Sequence, residues 1–164
     1  MRGDDPTFFF EHRALLDTAP ARRPYPGDDY GLPFGKAATL TTGDELTLVT
    51  WGETVHRCLE AAKAFAGRVT VIDLRTIIPW DKAGVLESVR RTGKALVVHE
   101  DTVTGGFAGE IIVAIAGECF TDLDAPLERL ATPDCPIPYN MRMMEYILPN
   151  VETIRARIKF LLEY

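Results

Sequence analysis

The sequence is short of the residues that carry hydrolytic, redox and metal chemistry. It has three histidines, His12, His56 and His99, and three cysteines, Cys58, Cys119 and Cys135. No HxxxH or CxxC spacing links any of them, so no local metal-binding motif is present. Three scattered cysteines give no disulfide framework either. Cys58 and Cys119 fall inside helical apolar patterns and read as reduced core residues. There is no GxSxG nucleophile elbow, no GxGxxG fingerprint and no phosphate loop ending in Lys-Ser or Lys-Thr. Long basic runs are missing, and the formal net charge of -6 argues against a nucleic-acid partner. Arg90-Arg91, with Lys94 nearby, reads as a solvated helix end, where cations are favoured. The longest apolar run, 111–116, is far below membrane-spanning length. The polar start of the chain and the brief Phe8-Phe9-Phe10 run form no signal segment. The expected compartment is the cytoplasm, or the mitochondrial matrix after processing, with no nucleic acid or membrane as partner.

What is there suits one globular core: 164 residues, of which 46% are hydrophobic. Residues 7–11 have strand composition, and three contiguous Phe suit a strand buried on both faces. Pro20, Pro24, Pro26 and Pro33 then mark residues 18–35 as an extended linker. From residue 36 onward, strands are expected at 37–40, 46–50, 69–74, 95–99 and 127–131. Helices are expected at 54–66, from Asp81 to 91, at 107–120 and from 151 to the end. Asp81 and Asn150 serve as helix caps, and Gly67 as a stop. Residues 133–138 hold three prolines and read as irregular. Buried strands alternating with helices predict a three-layer α/β/α domain with a mainly parallel sheet.

Several residues stand out as site candidates. Thr104-Gly105-Gly106-Phe107 enters a helix, where free amides can hold an anion; the other reading is a tight turn with close subunit packing. His99 ends a strand at the C-terminal edge, where α/β sites form. A space-assembled metal site from His99, Cys119 and Cys135 is a further alternative. Arg75 and Asp81 bracket a strand exit, either pairing across a boundary or fixing a local loop. Ile77, Ile78, Pro79 and Trp80 form a contiguous apolar turn that needs a covering surface. On the last helix, Ile154, Ile158, Leu161 and Leu162 share a core face, leaving Glu163 and Tyr164 at the tip.

Residues 71–81 read Val-Ile-Asp-Leu-Arg-Thr-Ile-Ile-Pro-Trp-Asp, and 46–52 read Leu-Thr-Leu-Val-Thr-Trp-Gly. Val55-His56, Arg91 to Lys94, His99-Glu100, Thr104 to Ile111, Cys119-Phe120, Leu123 to Pro126, Asp134, Pro136 and Pro138 follow in order. This pattern resembles the C-terminal domain of the beta subunit of thiamine-dependent 2-oxo acid dehydrogenases. The branched-chain 2-oxoisovalerate type is the nearest in pattern. Asp101-Thr-Val103 and Arg13 depart from the family's usual residues, and pyruvate and acetoin types share much of the pattern.

The resemblance implies a transketolase C-terminal-like fold at 36–164, with residues 1–17 a remnant of the preceding pyrimidine-binding domain's last strand. An N-terminal arm packed on the domain's own surface is the alternative. It implies oxidative decarboxylation of branched-chain 2-oxo acids and acyl transfer to lipoamide by the complete enzyme, with thiamine diphosphate and magnesium. No catalytic, cofactor or metal residue is assigned to this chain, which is expected to be inactive alone and to bind no cofactor alone. Expected partners are the alpha subunit, a second beta subunit and the acyltransferase's subunit-binding domain, with self-association of the isolated chain. The subunit-interface candidates are Phe9, Arg75, Ile78, Pro79, Trp80, Asp81, His99, Thr104, Gly105, Gly106 and Phe107. Glu163 and Tyr164 are the acyltransferase-docking candidates. A free-standing interaction module and a small-molecule α/β enzyme, such as a nucleotide-binding domain, are the competing readings.

Overall fold

The computed structural model describes Pro6, Phe8, residues 11–16 and residues 18–164. The chain divides into two compact units, Met1–Tyr30 and Gly31–Tyr164. The first has short 3-10 turns at Arg13–Leu15 and Ala19–Ala21, the second with Pro20 near its start. The Tyr25 hydroxyl donates to Asp28 within it. The strand expected at 7–11, including Phe9, falls largely outside the described residues.

The second unit is built on five strands: β1 Ala38–Thr41, β2 Leu46–Thr50, β3 Val69–Asp73, β4 Ala95–Thr102 and β5 Glu128–Thr132. Their order is β1-β3-β2-β4-β5. β1 runs antiparallel to β3, and every other pairing is parallel. The helices are α1 Thr54–Ala62, α2 Lys82–Thr92, α3 Ala108–Glu118, α4 Met141–Ile147 and α5 Val151–Glu163.

The alternation of side chains along each strand decides which helices lie on which face. Leu46, Leu48, Val69, Val71, Leu96 and Val98 pack with Cys58 and Ala61 of α1 and with Ile154, Ile158 and Leu161 of α5. Val49, Ile72, Ala95 and Val97 point the other way, against Val85, Leu86 and Val89 of α2 and Ile111 and Ile115 of α3. The result is three layers, α1 and α5 below the sheet and α2 and α3 above it. Because β2 is covered on both faces, all five of its residues are buried, threonines included. Its threonines are satisfied internally. Thr47 Oγ1 lies 2.7 Å from Ser88 Oγ and 2.8 Å from Thr92 Oγ1, tying α2 to the sheet.

The helix ends follow the sequence signals. Asp81 accepts from Gly84 N–H at 3.2 Å, and Gly93 ends α2 with φ of 68°. Asn150 and Thr153 form a reciprocal capping box on α5. α1 is shorter than expected, because Lys63–Phe65 tightens into a 3-10 turn before Gly67. Sequence reading missed α4 altogether. It buries none of its residues, so no apolar stripe marks it.

Candidate functional site

β2 and β4 are adjacent, yet the connections leaving them go to opposite sides of the sheet, toward β3 and β5. Their C-terminal ends therefore form the switch point where α/β domains place their sites. Here the crest is filled with rings. Trp51, just past β2, stacks on His99 of β4 with centroids 5.2 Å apart and planes 18° from parallel. Phe107 meets Trp51 edge-on at 6.2 Å. His99 is 1% exposed, and neither ring nitrogen has a hydrogen-bond partner. Burial holds its proton affinity below the ordinary imidazole level; Asp101 opposes that, and Arg129 adds to it.

The loop after β4 is a tight turn. Gly105 has φ of 78°, a conformation a glycine accepts without strain. Gly106 is buried against His99, where an added Cβ would overlap the ring and the Thr102 carbonyl. Thr104 donates through its amide at 3.0 Å and its hydroxyl at 2.6 Å to the Asp134 carboxylate. These bonds, the hydroxyl's first, hold Asp134 below the usual carboxylate range. Thr102 Oγ1 also donates to the Thr104 carbonyl at 2.8 Å.

Beside the crest runs an apolar groove of about 540 Å³, lined by Ile78, Pro79, Trp80, Phe107, Glu110 and Ala114. Ile78 is 84% exposed at its rim, and its peptide to Pro79 is cis. Four of the expected interface residues thus meet in one place, although Phe107 lies 27 positions from Trp80. Arg75 and Asp81 are engaged locally. Arg75 sits at φ of 59°, with its N–H on Asp73 Oδ1 at 3.1 Å and its side chain 3.8 Å from the same carboxylate. The second oxygen of Asp81 accepts from Ala37 N–H at 3.1 Å, tying the α2 cap to the start of the domain.

At the far end of α3 lies a second groove of about 520 Å³, walled by Ala116, Phe120, Leu123, Pro126, Leu127 and Tyr164. The Tyr164 ring packs edge-on to Phe160 at 6.1 Å. Glu163 lies 3.6 Å from Lys159. Val113 is 69% exposed, so α3 leaves part of its apolar surface uncovered, and Phe120, just past its end, is 76% exposed. Sequence reading named Tyr164 as a docking residue at the tip of the last helix but neither this groove nor Phe120, which lies 44 residues away. Burial raises Cys58 to about 12 and also raises Cys119, while Cys135 is exposed. Among the described residues, no group of three or more His, Cys, Asp and Glu side chains could hold a metal ion. No helix among them is long and apolar enough to cross a membrane.

A three-layer α/β domain with a parallel core, an antiparallel edge strand and a ring-filled switch point defines the class. The chain belongs to the transketolase C-terminal domain family, whose pattern matches residues 35–154. It is 39% identical to the 2-oxoisovalerate dehydrogenase subunit beta of Bacillus subtilis (strain 168) over 168 residues, covering 100% of this chain and 51% of the relative. It is 37% identical to the mitochondrial 2-oxoisovalerate dehydrogenase subunit beta of Dictyostelium discoideum, covering 98% of this chain and 44% of that one. Beta subunits named for acetoin and pyruvate enzymes match at 34% and 32%. Among solved structures, a chain titled "Split gene transketolase, inactive beta4 tetramer" shares the fold, with a TM-score of 0.63 and 23% identity, over 84% of this chain and 44% of that one. The chain spans about half the length of the curated relatives it matches.

Proposed function

We propose that this chain is the assembly and docking portion of a branched-chain 2-oxo acid dehydrogenase beta subunit. The carrying observation is that α3 walls two separate apolar grooves, each edged by large exposed hydrophobic residues. A monomer has little reason to leave Ile78, Val113 and Phe120 in water together; such patches mark binding surfaces. The Trp80–Phe107 groove takes another subunit, alpha or a second beta. Arg75, Asp81, His99, Thr104, Gly105 and Gly106 belong to the same proposed face or support it from behind. The Phe120–Tyr164 groove takes the basic subunit-binding domain of the acyltransferase, with Glu163 supplying charge and the Tyr164 ring the apolar centre.

Thiamine diphosphate would supply the carbanion chemistry of the complete enzyme. The residues present do not fit it. Rings fill the switch-point crest, and the acidic side chains around it are spent on caps and loop braces. No step of the reaction is assigned to this chain. A pyruvate or acetoin enzyme is the alternative, since both kinds of relative match over nearly the whole chain.

Titration of surface-immobilised acyltransferase subunit-binding domain, with this chain alone and premixed with the alpha subunit, tests the reading. Saturable binding that weakens in high salt is expected. Absence of binding in both formats overturns the docking role.

A further inference from the structure

His99 is buried where a positive charge is costly. Its ring stacks on Trp51, its Cε1 edge lies against Gly106, and both nitrogens lack partners. A neutral imidazole can survive this at the cost of its unmade hydrogen bonds, whereas an imidazolium would carry two unsatisfied donors and a desolvated charge. The charged groups acting on the ring are few. Asp101 follows on its own strand, and Arg129 stands on β5 with opposite effect. Asp134 braces the same loop through Thr104. Trp51, Gly106 and Phe107 bring no titratable group. Phe107 is the mechanical link, since it touches Trp51 on one side and lines the groove with Trp80 on the other.

We infer that His99 is an acid-released latch: as the neutral ring it seats Trp51 and Gly106, and on taking a proton it leaves the stack and withdraws Phe107 from the groove. The sign follows from linkage. Burial depresses the proton affinity of the closed form below the ordinary 6.5, so closure is unaffected above that pH. Below it, the open form, in which the ring is hydrated, gains about tenfold in population per pH unit until the closed form also protonates. The latch acts on the groove of the assembly reading and rests on that reading only for what the groove holds.

Trp51 and Trp80 are the two tryptophans, so Trp80→Phe leaves Trp51 as the sole reporter. Its emission is to be followed from pH 8 to pH 5, with hydrogen exchange of residues 101–108 measured on the unaltered chain. A one-proton change in emission below about pH 6.5 is expected, with exchange in the loop rising over the same range while β2 stays protected. His99→Leu should abolish both changes. Asp101 favours the proton in the closed form, so Asp101→Asn, whose side-chain oxygen can still accept from Thr102 N–H, should carry the opening further at low pH without moving its onset. Flat emission and exchange, or the same curve in His99→Leu, overturns the latch. If His99→Leu does not fold, His99→Gln, whose amide takes no proton in this range, replaces it, and the same curve in that variant overturns the latch. Trp51 reports whether or not the chain associates, so a failed assembly reading leaves this test intact.

Discussion

A methyl group at Gly106 has nowhere to go, since the His99 ring and the Thr102 carbonyl already occupy its place. Gly106→Ala should therefore cost about 1–3 kcal/mol, the usual range for overpacking. Because φ at this glycine is not in the left-handed region, the loss comes from crowding and not from backbone strain. Denaturant unfolding would measure it, and Gly105→Ala is the control, where space is open but φ is 78°. The thiols offer a second check at this scale. Burial keeps Cys58 and Cys119 protonated and covered, whereas Cys135 is exposed. An aromatic disulfide reagent should titrate one thiol rapidly in the native protein and the other two only on unfolding. Neither result was fully legible in the sequence. Cysteines in apolar helical patterns announce burial, but Gly106 and Trp51 reach His99 only through the closure of the fold, 48 positions separating the two rings.

At the level of elements, the strands and four of the five helices were readable because each leaves a local mark. Short stretches of mixed Leu, Val and Thr signalled strands, and Asp81, Gly67 and Asn150 punctuated the helices. α4 left no such mark, since nothing in Met141–Ile147 is buried. The turn at residues 77–80 was recognised as apolar and uncovered, but its companion, Phe107, depends on tertiary placement. Ile78→Glu tests that pairing without threatening the fold, since the residue is 84% exposed. Sedimentation at several concentrations should show association of the original chain, weakened at least tenfold in the variant and accompanied by little change in melting temperature. Deleting Tyr164 removes the ring from the second groove. Affinity for the acyltransferase's subunit-binding domain should fall while the core holds, because the change touches only a helix tip.

For the whole molecule, the expectation is a protein that binds proteins. Calorimetric titration with thiamine diphosphate and magnesium should give no saturable micromolar binding to this chain, and 2-oxoisovalerate should not be decarboxylated by it. Activity from the chain alone would remove the assembly reading. The three-layer arrangement was legible from the alternation of strands and helices, and the antiparallel β1 edge adds to it without disturbing the parallel core. The grooves were legible only in part. Sequence pattern named Trp80 and Tyr164 as anchors, but the space each one borders is made by residues of α3 and its flanks, which only the folded chain assembles.

Ala114 lines one groove and Ala116 the other. Two residues apart on a helix, they point to nearly opposite sides, so the occupants of the two grooves are separated by little more than one helix diameter, roughly 10–12 Å. α3 is a shared partition. If both grooves hold guests as proposed, a guest that displaced α3 would change the space on its other side, and reciprocity would then require each guest to alter the other's binding by the same factor. An assembly seated on both sides of such a wall can be loosened at one end by a change made at the other.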